Sequence, residues 1–240
     1  FALRIPENGV VIVNGDDENA MKAVEGIDRK VVTFGLNKTC DVYAENVTSK
    51  NGYYSFDIII NGEKYTNVTL SVAGKHNMLN ALAAVASAYE LKMPSDKVAE
   101  GLEKFTGSSR RFQKIGTLKC GAVVVDDYAH HPSEMRATLE TARLMDFKRI
   151  VCAFQPHTYT RTKALFNEFV DALRMCDKAI LAPIYAAREQ NTIGIYSSDI
   201  AKEVEGAIAL DTFEQIEEYL RENAKDGDLI ITMGAGNINS

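Results

Sequence analysis

From residue 122 onward, short and almost wholly apolar runs alternate with longer amphipathic ones, and this alternation restricts the folds open to the chain. The apolar runs lie at 122–125, 150–154, 179–182, 207–210 and 229–233. The runs between them, at 132–145, 159–175, 198–205 and 213–224, read as helices. A strand that is apolar at nearly every position has both faces covered, and strands separated by helices run parallel. The pattern therefore predicts an α/β domain of Rossmann-like, doubly wound type with a mostly parallel sheet.

The residues before it are patterned differently. Runs at 9–14 and 30–35 flank a short helical stretch at 18–25, and three strands follow at 42–47, 53–60 and 63–72. Asn61-Gly62 predicts a type I′ hairpin, because both central residues of that turn need positive φ. A helix is expected from 75 to 91, stopped before Pro94, and a second from 95 to 105. This is a mixed α/β region. Gly107-Ser108-Ser109 marks a linker, so the expected domains are 1–107 and 108–240, with 107–111 as a hinge.

Composition excludes several classes of function. A net charge of -6 argues against a broad nucleic-acid surface, while a small basic phosphate pocket stays possible. Four scattered cysteines form no CxxC pair and fit reduced thiols in a cytoplasmic protein better than a disulfide scaffold. No apolar run approaches the ~20 residues of a membrane span, so no membrane partner is expected. The chain opens on FALRIPENG, without a Met or a signal peptide, and is expected to be a piece of a longer protein.

The chemistry gathers where the strands end. In open α/β sheets, ligands bind beyond the carboxyl ends of the strands. There the run 122–125 leads into Asp126-Asp127-Tyr128-Ala129-His130-His131-Pro132, and 150–154 into Gln155-Pro156-His157-Thr158-Tyr159-Thr160-Arg161. The run 229–233 leads into Gly234-Ala235-Gly236-Asn237. Three of the chain's four histidines, two carboxylates and an arginine thus meet at one sheet edge. A plain alternative is that Pro132 starts a helix and Asp126 caps it. Elsewhere, Gly74-Lys75-His76-Asn77-Met78-Leu79-Asn80 opens the long helix, where free N–H groups suit phosphate or a polar ligand. Asn77 and Asn80 share a face, and an Asn amide matches the N6/N7 edge of adenine. The same residues also fit an N-cap with a surface neighbour. Arg110-Arg111 suits phosphate binding, or is simply a solvated pair. A metal-dependent phosphoesterase using Asp126, Asp127, His130, His131 and His157 would need several of these within coordination distance, and adjacent His130 and His131 tend to point apart. A nucleotide-binding module without chemistry of its own is a further alternative.

Taken in order, these segments resemble the Mur ligases. Gly74-x-His76-Asn77-x-x-Asn80-x-x-Ala83-Ala84 is similar to the family's helix motif, and Ser109-Arg110-Arg111-Phe112 to the hinge after it. Asp126 through Pro132 and Gln155 through Thr162 resemble the motifs of the muramate–alanine type, and Val13-Asn14-Gly15-Asp16-Asp17 a segment late in the family's central domain. The resemblance implies the end of a central ATP-binding domain followed by a Rossmann-like domain. It implies that Asn77 and Asn80 read adenine with His76 beside the nucleotide, that Arg111 contacts phosphates, and that Asp127 contacts the ribose. Tyr128, His130, His157 and Arg161 would face the muramate and incoming amino acid, with His130 also in a catalytic role. Thr158 departs from the Arg often found at its place. The implied reaction is ATP-dependent activation of the UDP-N-acetylmuramate carboxylate to an acyl phosphate, then attack by the amine of L-alanine, with Mg2+ neutralising phosphate charge. A relative that attaches an intact peptide is the alternative within the family. No Gly-x-x-x-x-Gly-Lys-[Ser/Thr] phosphate loop occurs in these residues, and no N-terminal domain for the UDP end. The expectation is therefore that the chain supplies part of a site, with no metal ligand assigned in it, and is inactive alone.

Overall fold

The computed structural model describes residues 2–239, which divide into two compact units with the boundary between Thr106 and Gly107. In the first unit a short 3-10 turn at Ala2–Arg4 precedes β1 (Val10–Asn14), α1 (Glu18–Ala23), β2 (Lys30–Gly35) and β3 (Val42–Lys50). Then come β4 (Tyr53–Ile60), β5 (Glu63–Ala73), α2 (Lys75–Glu90) and α3 (Ser95–Lys104). The sheet keeps sequence order, β1-β2-β3-β4-β5, with parallel pairing from β1 to β3 and antiparallel pairing from β3 to β5.

Local chemistry explains this meander. Asn61-Gly62, between β4 and β5, sits at φ 51° and 83°, and a second such turn, Asn51-Gly52 between β3 and β4, at 49° and 78°. Both are Asn-Gly pairs with the positive φ that a type I′ hairpin needs. β3 runs on past residue 47 to Lys50 because a bulge between Glu45 and Thr48, with Asn46 at φ 51°, absorbs the change of register. One face of the sheet is apolar at alternate positions, Phe56, Ile58 and Ile60 on β4, and packs with Met78, Leu82, Val85 and Ala86 of α2. Those α2 residues follow the i, i+4, i+7, i+8 spacing of a buried helical stripe.

The second unit contains β6 (Gln113–Thr117), β7 (Val123–Asp127), α4 (Pro132–Arg143), β8 (Arg149–Phe154), α5 (Tyr159–Ala164) and α6 (Phe166–Leu173). It continues through β9 (Lys178–Leu181), α7 (Ser197–Glu203), β10 (Ile208–Ala209), α8 (Phe213–Asn223) and β11 (Asp228–Met233). The strand order is β10-β9-β8-β11-β7-β6, parallel except for β6 against β7. Val125, Cys152, Phe154, Leu181 and Ile231 face α4, α6 and α7, while Val151, Ala153, Ile180 and Ile230 face α8. Both faces are covered, as the near-continuous apolar strands require. β11, the last strand in sequence, lies between β7 and β8, so the segments leaving these three strands at their carboxyl ends are neighbours.

Two expectations are corrected, and one strand, β6, was not foreseen. β6 has no apolar alternation, since it is a mostly exposed edge strand held by antiparallel pairing to β7. The helix expected at 159–175 is two helices, broken at Leu165 with φ -112° and ψ 27°. The strand expected at 207–210 pairs only at Ile208 and Ala209. All four cysteines are free. Among the described residues no helix is long and apolar enough to cross a membrane.

Candidate functional site

At the carboxyl edge of the second sheet, Arg110 fastens the strand ends together. Its Nε donates to Asp126 Oδ2 at 2.9 Å, and its Nη2 and Nη1 donate to the carbonyls of Gly234 and Gly236 at 2.8 and 3.3 Å. Asp126 is almost wholly buried and also accepts from the Thr232 hydroxyl at 2.8 Å. Tyr128 N–H donates to Arg110 O, and the guanidinium lies 4.9 Å from the Tyr128 ring centre. A buried carboxylate at this place is satisfied only because a guanidinium with several donors reaches it.

Asp127, expected to contact a ribose, is turned inward. Its carboxylate accepts from Phe112 N–H (2.9 Å), Ala129 N–H (2.8 Å) and the Thr138 hydroxyl (3.1 Å). Burial pushes its carboxyl above the usual range, and these donors oppose that shift. In this arrangement Asp127 organises the β7–α4 loop. The next turn separates the two adjacent histidines. His131 caps α4, with its Nδ1 at 2.8 Å from Ser133 Oγ, and Glu134 completes a capping box by accepting from His130 and His131 N–H. The helix is thus capped by His131 rather than Asp126. His130 turns the other way, its Nδ1 3.0 Å from Tyr128 O and 3.5 Å from Glu134 Oε2.

His130 meets the segment that leaves β8. Its ring centre is 5.5 Å from Tyr128 and 5.9 Å from His157, and His157 is 5.4 Å from Tyr185. Four rings therefore run in a row across the strand ends. His157 and Tyr185 are joined by a parallel bridge in which Tyr185 N–H donates to Pro156 O and Thr158 N–H to Tyr185 O, each at 2.8 Å. Buried Gln155 lies below and accepts from Asn237 N–H at 3.0 Å. Two polar atoms in this cluster, His157 Nδ1 and Arg161 Nη1, are buried without a hydrogen-bond partner. Such groups are costly unless something pairs with them. Burial lowers the His157 pKa first of all, the Arg161 and His130 charges lower it further, and Glu189 acts the opposite way. A neutral imidazole beside an open guanidinium donor is a setting that favours an anion such as a carboxylate.

Arg111 is exposed, 5.7 Å from the Tyr128 ring centre and 4.0 Å from Glu134 Oε1. In the first unit, His76, Asn77 and Asn80 occupy the first turns of α2, which Gly74 opens at φ 105° without a side-chain cap. Asn77 Nδ2 donates to Ala73 O at 2.7 Å, and Asn77 Oδ1 accepts from Asn80 Nδ2 at 3.1 Å. Asn77 thus ties down the helix start, and Asn80 is exposed beside it. The phosphoesterase alternative fails on geometry. Asp126 and Asp127 are engaged inward, His130 and His131 diverge, and among the described residues no group of three His, Cys, Asp or Glu is arranged to hold a metal. Arg110, expected with Arg111 to suit phosphate, instead bonds Asp126 and the Gly234 and Gly236 carbonyls, while Tyr185 and Glu189 were missed as site residues. Arg110 is one half of a visible pair, whereas Tyr185 and Glu189 lie in a loop with no periodic signal.

The second unit thus combines a Rossmann-like sheet with an arginine–histidine cluster at its strand ends in which two buried polar atoms lack a partner. Residues 110–236 match the family model described as Mur ligase, glutamate ligase domain, and residues 1–88 the Mur ligase middle domain. The chain belongs to the Mur ligase family. It is 44% identical over 244 residues to the UDP-N-acetylmuramate–L-alanine ligase of Lachnospira eligens, a match that takes in 99% of this chain and 53% of that protein. Among solved structures, the UDP-N-acetylmuramate–alanine ligase MurC of Thermotoga maritima superimposes with TM-score 0.77 at 27% identity, over 96% of this chain and 49% of that one. The MurF ligase of Thermotoga maritima, solved in complex with ADP, gives 0.74 at 18% identity over 97% and 51%, a likeness of fold alone. The chain spans about half the length of the curated relatives it matches.

Proposed function

We propose that the whole protein joins L-alanine to UDP-N-acetylmuramate using ATP, as a cytoplasmic step in making cell-wall precursor, and that this chain contributes the acceptor pocket and an adenine-facing helix start. The observation that carries the reading is the pair of buried, unpartnered atoms, His157 Nδ1 and Arg161 Nη1, in one cluster with His130. The alanine carboxylate answers the open Arg161 donor, since a planar guanidinium grips a carboxylate with two hydrogen bonds. Its amine is then held toward the muramate carbonyl.

ATP transfers its terminal phosphoryl group to the muramate carboxylate, leaving ADP and an acyl phosphate. The amine attacks the acyl carbon, phosphate leaves, and the amine's proton is taken up as the amide forms. Neutral His157, or His130 with Nδ1 turned to the Tyr128 carbonyl, is placed to hold that proton. Tyr128 shapes the pocket between His130 and the two arginines. In the first unit, His76, Asn77 and Asn80 lie against the base, and Arg111 with its exposed guanidinium reaches phosphate. Mg2+ would offset phosphate charge in such a reaction. Among the described residues no group of three His, Cys, Asp or Glu is arranged to hold it.

The test is steady-state kinetics of the full-length protein with alanine, glycine, serine and a tripeptide as acceptors. Alanine should be preferred, and Arg161→Ala should raise the KM for alanine about a hundredfold, which corresponds to about 2.7 kcal/mol, with the KM for ATP within about twofold of wild type. A variant with wild-type kinetics and only a lowered melting temperature would make Arg161 structural and remove the acceptor pocket from this place.

A further inference from the structure

Arg161 lies on α5, a helix of six residues that lacks the usual means of starting itself. A helix this short has a costly nucleus, and its first N–H groups have no partner within the helix. Two other helices solve this locally: Asp17 caps α1 and Thr212 caps α8 with their own side chains. Thr158, at the start of α5, stands at φ 64° and makes no side-chain cap. The cap comes instead from 29 residues away. Glu189 accepts from Thr160 N–H at 2.9 Å and from the Thr160 hydroxyl at 2.5 Å. A carboxylate there also meets the positive end of the helix.

The loop that delivers Glu189 is itself held in place. Tyr185 is bridged to Pro156 and Thr158, and at the far end the Ser197 hydroxyl donates to Ala182 O. Within it, Asn191 accepts from Gly194 and Ile195 N–H and donates to Ile195 O. Glu189 therefore sits on a braced support beside the residue that precedes Arg161. Arg161 Nη1 has no partner of its own. Its aim follows from the path of α5, and that path is set from the 183–196 loop.

We infer that Glu189 is a positioning residue of the acceptor pocket, capping α5 from outside so that Arg161 is presented to the acceptor's carboxylate. This rests on the reading that Arg161 binds that carboxylate. Glu189 touches no reacting atom and acts through Arg161. The hydroxyl and N–H of Thr160 keep its carboxyl below the usual range, so the cap is charged at neutral pH.

The experiment is a double-mutant cycle in the full-length enzyme, with alanine and ATP varied separately. Glu189→Ala should raise the KM for alanine about tenfold, equivalent to about 1.4 kcal/mol, and leave the KM for ATP within about twofold. Glu189→Gln keeps an acceptor oxygen for Thr160 and should recover most of that loss. In an Arg161→Ala background, Glu189→Ala should add less than about twofold, because the group it positions is gone. An equal effect of Glu189→Ala in both backgrounds, or an equal rise in the KM for ATP, would overturn the assignment while leaving Arg161 in its role. An Arg161→Ala enzyme with an unchanged KM for alanine would instead sink the pocket reading and this inference with it. Should Glu189→Ala fail to fold, Thr160→Val removes the hydroxyl partner from the other side and carries the same cycle, with about a threefold rise expected from one lost charge-assisted bond.

Discussion

Replacing Arg110 by alanine tests whether one side chain holds the strand-end platform together. The substitution removes the 2.9 Å contact to Asp126, both donors to the Gly234 and Gly236 carbonyls, and the stacking on Tyr128. Asp126 stays behind with a side chain only 2% exposed and the Thr232 hydroxyl as its remaining side-chain partner. Breaking a buried pair by removing one partner costs about 3–5 kcal/mol. The Arg110 side chain is 24% exposed, so water enters once it is truncated, and the lower end, about 3 kcal/mol, applies. Unfolding of a protein with several domains is not a single two-state event, so a local probe is required. Native-state hydrogen exchange at the Ile230 and Ile231 amides of β11, which pairs with β7, supplies it. Exchange there should quicken by about a hundredfold, whereas Ile58 in the first unit keeps its wild-type rate. Arg110→Met combined with Asp126→Leu should restore most of the protection, because the stranded charge is gone. A loss below about 1 kcal/mol in the single variant, or a double variant no better than it, would refute the claim that the cost is a buried uncompensated carboxylate.

Two further outcomes follow from the same edge of the sheet. Gly234 has φ 149°, and a Cβ there would lie 2.8 Å from the Gln155 carbonyl oxygen, so Gly234→Ala should destabilise the protein by about 2 kcal/mol and lower its melting temperature. A variant as stable as wild type would show that the β11 end shifts freely. His157 should titrate below the ordinary histidine value of about 6.5 in an NMR pH series, and Arg161→Ala should move its midpoint upward by removing a nearby positive charge. Because the folded state resists protonating this ring, the unfolded chain binds the proton more readily. Stability should therefore fall as pH drops below about 6.5, and a His157 midpoint at or above that value would contradict the burial.

The parts of the fold that were legible are those in which side-chain spacing reports burial directly. The apolar runs of β7, β8, β9 and β11 are buried on both faces, and no surface role competes with that pattern. The hairpin at Asn61-Gly62 was legible because two residues needing positive φ leave few other turns open, and Asn51-Gly52 carried the same signal without being read. β6 was not legible. Its residues are mostly exposed and are a strand only because β7 offers a free edge, a condition that lies outside the segment itself. The break at Leu165 is similar, since the helical spacing of 159–173 continues across it and nothing in the residue types marks the change of direction.

The site divides in the same way, and the division explains why motifs locate chemistry better than they apportion it. The segments after β7 and β8 were expected to meet, and His130 and His157 do lie ring to ring. Yet within the seven residues from Asp126 to Pro132, four serve the loop: Asp126 anchors Arg110, Asp127 gathers two N–H groups and a hydroxyl, His131 caps α4, and Pro132 starts it. Only Tyr128 and His130 stand in the ring row. A carboxylate that braces a loop and one that meets a ligand are the same residue type at the same kind of position. What separates them is which donors happen to be near, and those come from Arg110, Phe112, Thr138 and Thr232, as far as 106 residues away in sequence. Glu189 is the converse case. It lies outside every motif, and its importance rests on a helix start that its own local sequence cannot complete. In a domain of this kind, a helix that bears a binding residue but lacks a cap of its own points to a second segment that governs the binding.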